Sequence, residues 1–244
     1  EQQLQPKERL IMALDYSSEE EALRAVRQLK NNVGLFKVGM TLLMSEGAQV
    51  VKNVISEIGR GGSQVFYDVK SHDIPQTMQH SLAAIVYSHG IRFVTAHASE
   101  GKRHIASVVE EVKKGRTGTA VLGVTVLTSQ SNKEAREIWK ETALARVLRL
   151  AKWTKDAGGS GVICSGHEAS EVKRTFKNFI VVTPGIRPKW AAVSHDDQRR
   201  VMTPSEAIRS GADYIVVGRP IYQARNLVDA AKRIVGEIEQ ACKE

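Results

Sequence analysis

The chain has 244 residues, 42% of them hydrophobic and 25% charged, which is ordinary for a globular protein and long enough for one large core. No apolar run approaches the roughly eighteen residues of a membrane span, so no membrane association is expected. The net charge of +8 is spread along the chain rather than clustered, which favours a small anionic substrate over a polyanion partner.

The chain begins with a polar tail, residues 1–8, which lacks the pattern of a signal peptide. Apolar, largely β-branched runs then alternate with helical patterns. Their continuous apolar character is typical of strands in a parallel sheet that is buried on both faces. The predicted strands are 10–14, 34–38, 64–67, 92–96, 120–126, 161–164, 179–183 and 214–217.

The helical patterns complete eight βα units. Apolar stripes predict, among others, one helix over residues 43–58 and a last one over 227–238. No linker or low-complexity tract divides the chain. We therefore predict an α/β fold, a single-domain (β/α)8 TIM barrel over residues 1–244, with a doubly wound open sheet as the alternative.

Polar residues stand at or near the predicted ends of these strands. A barrel carries its chemistry at the carboxyl ends of its strands. One such residue is weak evidence, but turn residues alone would not place one at nearly every strand end. The residues concerned are Asp15, Lys37, Asp68, Lys70, His97, Thr128, Ser165, Arg187 and Arg219.

The run 68–76, directly after the third predicted strand, holds two carboxylates and an ammonium, Asp68, Lys70 and Asp73. Residues i and i+2 of a strand share a face, so Asp68 and Lys70 are expected to point the same way. A charged pair is costly to bury and has few structural uses. The run therefore predicts a proton-donating lysine beside a carboxylate that tunes it.

The segments after strands seven and eight, 183–187 and 217–220, each combine a glycine with an arginine. Barrels often bind phosphate at this place, where glycine admits an anion close to the backbone and arginine adds forked donors. A glycine turn with a surface arginine is the alternative for either segment alone, but the adjacent pair favours phosphate. We interpret residues 186–203 as a lid that closes over the phosphate, with a mere insertion as the alternative.

These motifs together resemble the orotidine 5'-phosphate decarboxylase family. The resemblance runs in order from about residue 9 to residue 235, and its DxKxxD core is shared with a wider suprafamily. The matching motifs are ALD (13–15), FKVG (36–39), DVKSHDIP (68–75), LTS (127–129), TPGIRP (183–188), DQ (197–198) and VGR (217–219).

The resemblance implies an enzyme without a cofactor that converts orotidine 5'-phosphate to UMP and carbon dioxide in pyrimidine synthesis. It implies a charged tetrad of Lys37, Asp68, Lys70 and Asp73, in which Lys70 stabilises and protonates a carbanion at C6 of the pyrimidine. The flanking carboxylates would keep Lys70 protonated. Loss of turnover in Lys70→Ala and weaker ligand binding in Arg219→Ala are the expected results.

The resemblance also implies which residues bind the substrate and how the chain assembles. The enzyme would be a homodimer in which Asp73, Ile74 and Thr77 reach into the neighbouring site. The other implied contacts are Asp15 and Lys37 to the ribose, Thr128 to the pyrimidine, Gln198 from the lid to the substrate, and Arg187, Gly218 and Arg219 to the phosphate.

Two segments depart from the family pattern. Glycines often follow the His-Ala of strand four, whereas residues 99–101 are Ser-Glu-Gly after His97 and Ala98. The lid segment 189–196 is individual to this chain.

Two alternatives remain open at this stage. A magnesium-dependent sugar-phosphate decarboxylase or aldolase of the same suprafamily would have an acidic residue in place of Lys37, because magnesium prefers oxygen ligands. A nucleic-acid binder is suggested by the positive charge alone, and no reading motif supports it. The two cysteines, Cys164 and Cys242, lack metal-like spacing, and a cytoplasmic location is expected.

Overall fold

The computed structural model describes residues 4–59, 64–191 and 198–243. Its parallel strands form one closed barrel in chain order, with the first strand hydrogen-bonded to both the second and the eighth. The predicted (β/α)8 barrel is confirmed, and the open sheet is excluded. The strands are β1 (Leu10–Ala13), β2 (Leu35–Gly39), β3 (Gln64–Ser71), β4 (Ile91–His97), β5 (Ala120–Val124), β6 (Gly161–Ile163), β7 (Ile180–Thr183) and β8 (Tyr214–Val217).

Helices surround the barrel and connect successive strands. Two short 3-10 helices, Pro6–Arg9 and Ala98–Glu100, accompany them. The described α-helices are α1 (Glu19–Leu29), α2 (Met40–Glu46), α3 (Gln49–Ile58), α4 (Pro75–Val86), α5 (Lys102–Gly115), α6 (Asn132–Trp139), α7 (Ala143–Asp156), α8 (Gly166–Thr175), α9 (Pro204–Arg209), α10 (Arg219–Tyr222) and α11 (Leu227–Lys243).

All eight predicted strands are present, but two predicted boundaries differ in an informative way. β3 continues past Tyr67 to Ser71, so Asp68 and Lys70 belong to the strand, whereas Asp73 lies in the loop between β3 and α4. The helix predicted over 43–58 is two helices, α2 and α3, because Gly47 adopts φ 74° and ends the first. Glycine reaches that left-handed conformation without the steric cost of a Cβ.

The core has two layers, one inside the barrel and one between the strands and the helices. Inside, aromatic rings fill the space across the strands. The Phe93 ring meets Phe66 edge-on at 5.9 Å and Tyr214 at 5.1 Å between centroids. Both contacts have the edge-on geometry that the quadrupoles of aromatic rings favour. The aromatic rings therefore fill the barrel interior below the cavity that the ends of the strands surround.

The predicted tail and lid are only partly covered by the described residues. Leu4 packs against the inner core layer, and Pro6–Arg9 forms a 3-10 helix. Residues 1–3 of the tail and 192–197 of the predicted lid lie outside the described residues, so both segments stay predictions. Within the described ranges, no helix has the length and apolar character that crossing a membrane would require.

Candidate active site

A cavity of about 240 Å³ opens at the carboxyl ends of the strands, where barrel folds place their chemistry. Its walls come from the ends of β1, β2, β3, β5, β6 and β8 and from the loops after β1, β5, β6, β7 and β8. All but three of the predicted site residues line it. The predicted residues that line the cavity are Asp15, Lys37, Asp68, Lys70, Thr128, Arg187, Gln198, Gly218 and Arg219.

The alternation of side chains along each strand places charges above an apolar floor. Residues i and i+2 share a face of a strand. Leu35 belongs to the inner core layer, and Lys37 follows it on the same side of β2. Phe66 leads to Asp68 in the same way on β3. The site is therefore the continuation of the barrel interior with charged residues in place of apolar ones.

Lys37, Lys70 and two carboxylates form a connected array. Lys37 Nζ lies 3.1 Å from Asp15 Oδ1 and 3.7 Å from Asp68 Oδ2. Lys70 Nζ lies 2.7 Å from the same Asp68 Oδ2. The Asp68 side chain is only 7% exposed and that of Lys70 is 38% exposed. Asp68 thus holds both ammoniums, and Lys70 is the one that faces the open cavity.

A bulge in β3 sets the direction of Lys70. Between Tyr67 and Ser71 this strand has three residues, whereas the paired stretch of β4 has only Thr95. Lys70 takes φ 48°, which is uncommon for a residue with a Cβ. Thr95 Oγ1 accepts a 2.9 Å hydrogen bond from Lys70 N and donates one of 3.1 Å to Asp68 Oδ1. Thr95 therefore fastens the bulge and orients the carboxylate.

Opposite charges keep this buried array ionised. Burial alone would raise the pKa of the Asp68 carboxyl, but the ammoniums of Lys37 and Lys70 and the hydrogen bonds from Lys70 and Thr95 lower it below its ordinary value. Burial would lower the pKa of Lys37, but the carboxylates of Asp68 and Asp15 raise it. Both groups are charged at neutral pH.

Gly39 makes room for the Lys37 ammonium. A Cβ at this position would lie 2.8 Å from Lys37 Nζ, closer than real Cβ contacts allow. Its φ of −115° is open to any residue, so the effect of a Cβ here would be to push the Lys37 ammonium from its place and not to strain the backbone. The glycine after β2 therefore belongs to the charged array.

The opposite wall of the cavity is cationic. Arg187 and Arg219 line it together with Gly185 and Gly218. Gly185 adopts φ 75°, a conformation that favours glycine. A Cβ at Gly218 would make only ordinary contacts, the nearest at 3.4 Å, so internal packing does not require glycine there. Its place on the wall fits a need for space beside a ligand.

Two predicted residues on different loops meet above the floor. The Thr128 hydroxyl donates a hydrogen bond to Gln198 Oε1. Thr128 lies in the loop after β5, and Gln198 is the first residue of the described range 198–243. A hydroxyl and an amide on the cavity wall are groups that can recognise the polar edge of a heterocycle.

Asp73, Ile74 and Thr77 do not line the cavity of their own chain. All three are exposed, and 64% of Ile74 is accessible to solvent. Asp73 Oδ1 accepts a hydrogen bond of 2.7 Å from Ile74 N. The single chain thus brings together three of the four predicted tetrad members and leaves the fourth on its surface.

The segment after β4, which departs from the family pattern, contacts the charged run. Glu100 hydrogen-bonds His72, and the His72 ring stacks on His97 at 5.4 Å between centroids. Burial, with the neighbouring His72, lowers the pKa of His97 to about 4. His97 is therefore neutral at physiological pH. Glu100 contacts the residue next to Asp73 and does not enter the cavity.

Sequence reasoning missed several residues of the site. Thr95 holds the bulge, and its only signal was a hydroxyl among the apolar residues 93–96 of β4. Ser129, Cys164 and Tyr222 line the cavity without having been assigned to it. Burial raises the pKa of the Cys164 thiol well above its ordinary range, so it is present as the neutral thiol.

Comparison with known proteins confirms the resemblance over nearly the whole chain. The family model described as "Orotidine 5'-phosphate decarboxylase / HUMPS family" matches residues 8–234. The orotidine 5'-phosphate decarboxylase of Desulfosudis oleivorans is 42% identical over 244 residues, which cover 98% of this chain and 96% of that protein. That of Syntrophomonas wolfei is 41% identical and covers 97% of this chain and 100% of its own length.

A solved structure agrees with these relatives. The crystal structure of orotidine 5'-phosphate decarboxylase from Lactobacillus acidophilus superimposes with a TM-score of 0.77 at 33% sequence identity. The match covers 94% of this chain and 98% of that one. The similarity therefore spans the barrel as a whole and every element that lines the cavity.

Proposed function

The chain belongs to the orotidine 5'-phosphate decarboxylase / HUMPS family, and we propose on this premise that it decarboxylates orotidine 5'-phosphate to UMP. One observation carries the proposal. The Lys37 ammonium stands between Asp15 and Asp68, and Lys70 shares the Asp68 carboxylate at the cavity. The reaction would be the last step of pyrimidine synthesis.

The charged array supports a mechanism through a carbanion. Loss of carbon dioxide from C6 of the pyrimidine leaves an electron pair that no neighbouring group of the ring absorbs. An ammonium held beside C6 stabilises that charge and then supplies the proton. Lys70 is the candidate because it is the array's more exposed ammonium and lines the cavity. Asp68 holds it in place at 2.7 Å.

The cationic wall supports a role for the phosphate. Arg187 and Arg219 provide charge-assisted donors, and Gly218 leaves space beside them. The phosphate is remote from the bond that breaks, so its binding energy is available to close the site and organise the charged array. Asp15 and Lys37 would hold the ribose, and Thr128 and Gln198 the pyrimidine side.

The exposed residues of the charged run support a shared site. Asp73, Ile74 and Thr77 lie on the surface directly after the strand that carries their own chain's Lys70. We propose that they complete the cavity of a second subunit in a homodimer, so that each site takes its fourth charge from its neighbour. A cytoplasmic location is part of the same proposal, and both cysteines are free in the structure.

The magnesium-dependent alternative receives less support from the geometry. A magnesium site needs oxygen ligands around the ion. Lys37 Nζ stands 3.1 Å from Asp15 and 3.7 Å from Asp68, which puts an ammonium between the two carboxylates. Turnover of orotidine 5'-phosphate that is unchanged in EDTA supports the proposed decarboxylase. Turnover that EDTA abolishes supports a magnesium-dependent enzyme.

The Lys70→Ala variant tests the mechanism. We expect its turnover of orotidine 5'-phosphate, followed by absorbance, to fall by a factor of about 10⁴ or more, because proton donation and charge stabilisation are lost together. Binding of UMP, measured by calorimetry, should persist. Lys133→Ala, at a lysine whose side chain is 87% exposed, is the matched control. Near-normal turnover in Lys70→Ala would remove the proposed mechanism.

A further inference from the structure

A buried ion pair outside the cavity connects three of its walls. Arg200 is 7% exposed and Glu168 is 5% exposed, and Arg200 Nη1 donates to Glu168 Oε1. Glu168 lies on α8, directly after β6, whereas Arg200 follows the segment that carries Gln198. Neither residue of the pair lines the cavity.

Arg200 also holds the loop after β5 through its second guanidinium nitrogen. Nη2 donates to the carbonyl oxygens of Val126 at 3.2 Å and Leu127 at 3.1 Å. The backbone amides of Arg199 and Arg200 both donate to the carbonyl oxygen of Thr128, at 3.3 and 3.2 Å. One residue thus fastens three successive carbonyl groups of the loop that carries the Thr128 hydroxyl.

The same segment is tied to the loop after β7. Met202 N donates to Gly185 O at 3.3 Å, and Arg187 N donates to Met202 O at 2.8 Å. The backbone of residues 200–202 therefore lies between the Thr128 loop and the loop of Arg187. A shift of Arg200 would move groups on both sides of the cavity.

Stability alone gives little reason for the pair. A buried ion pair often contributes no more than apolar residues of the same volume, because both charges lose their hydration. Arg200 Nε and Glu168 Oε2 are buried without a hydrogen-bond partner, which adds to that cost. What an apolar pair could not supply is a forked donor that reaches a carboxylate and two carbonyl oxygens at once.

We propose that Arg200, held by Glu168, is a positioning residue that sets Thr128 and Gln198 in the geometry that recognises the substrate. Thr128 donates to Gln198, and the Arg200 side chain fixes the loop beneath that contact. The inference rests on the proposed function for the identity of the substrate. The juxtaposition of the loops does not depend on it.

The test compares Arg200→Met with the double variant Arg200→Met/Glu168→Gln. Arg200→Met leaves a buried carboxylate unpaired, so we expect a lower Tm. The double variant removes both charges, and its Tm should recover much of that loss. Its kcat/KM for orotidine 5'-phosphate should nevertheless stay reduced by about 100-fold, because the forked donor is still missing. Arg199→Met, at the exposed neighbouring arginine, is the matched control and should keep wild-type kinetics.

Hydrogen exchange on the ligand-free proteins gives a readout without substrate. We expect faster exchange of the amides in residues 126–130 in the double variant, and unchanged exchange there in Arg199→Met. A double variant with wild-type kcat/KM and unchanged exchange overturns the proposal. If the wild-type protein shows no turnover of orotidine 5'-phosphate, the proposed function fails, and the exchange result still decides the positioning role.

Discussion

Asp68 is the residue on which the candidate site depends most. Its two carboxylate oxygens serve Lys37, Lys70 and Thr95, at 3.7, 2.7 and 3.1 Å. A buried carboxylate without such partners would take up a proton, because desolvation disfavours the charged form. The array is thus mutually supporting, since each ammonium keeps Asp68 ionised and Asp68 keeps the ammoniums in place.

The lowered pKa of Asp68 predicts how stability changes with pH. Its ionised form stabilises the fold fully above the ordinary carboxyl value of 3.8, and this contribution is lost as the pH falls toward the folded-state value. We expect Asp68→Asn to be about 3 kcal/mol less stable than the wild type at pH 7, with a smaller difference at pH 3.

Denaturant unfolding of both proteins across this range checks the prediction. Asp229→Asn, at an exposed position, controls for the loss of one carboxylate. A difference that stays constant from pH 7 to pH 3 contradicts the lowered pKa. The raised pKa of Lys37 acts at the other end of the scale, where its contribution is lost as the pH rises through the folded-state value.

At the scale of elements, two irregular segments shape the cavity. The bulge in β3 turns Lys70 out of the regular alternation, and Thr95 on β4 holds it there. The segment after β7 is held from outside by α11. Trp190 Nε1 donates to Glu237 Oε1 at 2.7 Å, and the Arg233 guanidinium carbon lies 4.0 Å from the centroid of the Trp190 ring.

We predict that Trp190→Ala raises KM for orotidine 5'-phosphate by about 30-fold. The lost hydrogen bond and cation–π contact are each worth about 1 kcal/mol, and 1.4 kcal/mol corresponds to a factor of ten. Without these contacts, part of the free energy of ligand binding would be needed to order the segment that follows Arg187, so the ligand would bind more weakly. Steady-state kinetics measures the change, and Trp190→Phe, which keeps the ring and loses the donor, should lie between. An unchanged KM in Trp190→Ala argues that this contact has no part in binding.

At the scale of the whole molecule, the charged run divides between two directions. Asp68 and Lys70 face the cavity of their own chain beside Lys37 of β2, whereas Asp73 and Ile74 lie exposed outside it, as does Thr77 of α4. The barrel decides this division, because β3 ends at Ser71 and α4 begins at Pro75 on the outer side. In the proposed homodimer, Asp73 of a second subunit would supply the fourth charge of the tetrad.

Mixed dimers test this assembly. Lys70→Ala and Asp73→Asn are each expected to be inactive alone. When the two are unfolded together and refolded in equal amounts, half of the molecules carry both variants, and one of their two sites is intact. We expect recovery of about a quarter of wild-type turnover.

The matched control mixes Lys70→Ala with Asp68→Ala. Both residues line the cavity of their own chain. Every site of such a mixed dimer carries one of the two changes, so no recovery is expected. Recovery in this control, or its absence with Asp73→Asn, contradicts the sharing of sites.

The eight strands and the polar residues at their ends were predictable from the amino-acid sequence, because continuous apolar runs and their period are local properties of the chain. Other features depend on contacts between residues that are far apart in the sequence. Thr95 reaches Lys70 across 25 positions, and Arg200 reaches Glu168 across 32. Such contacts depend on which strands and loops the closed barrel makes neighbours, and no local pattern encodes that geometry.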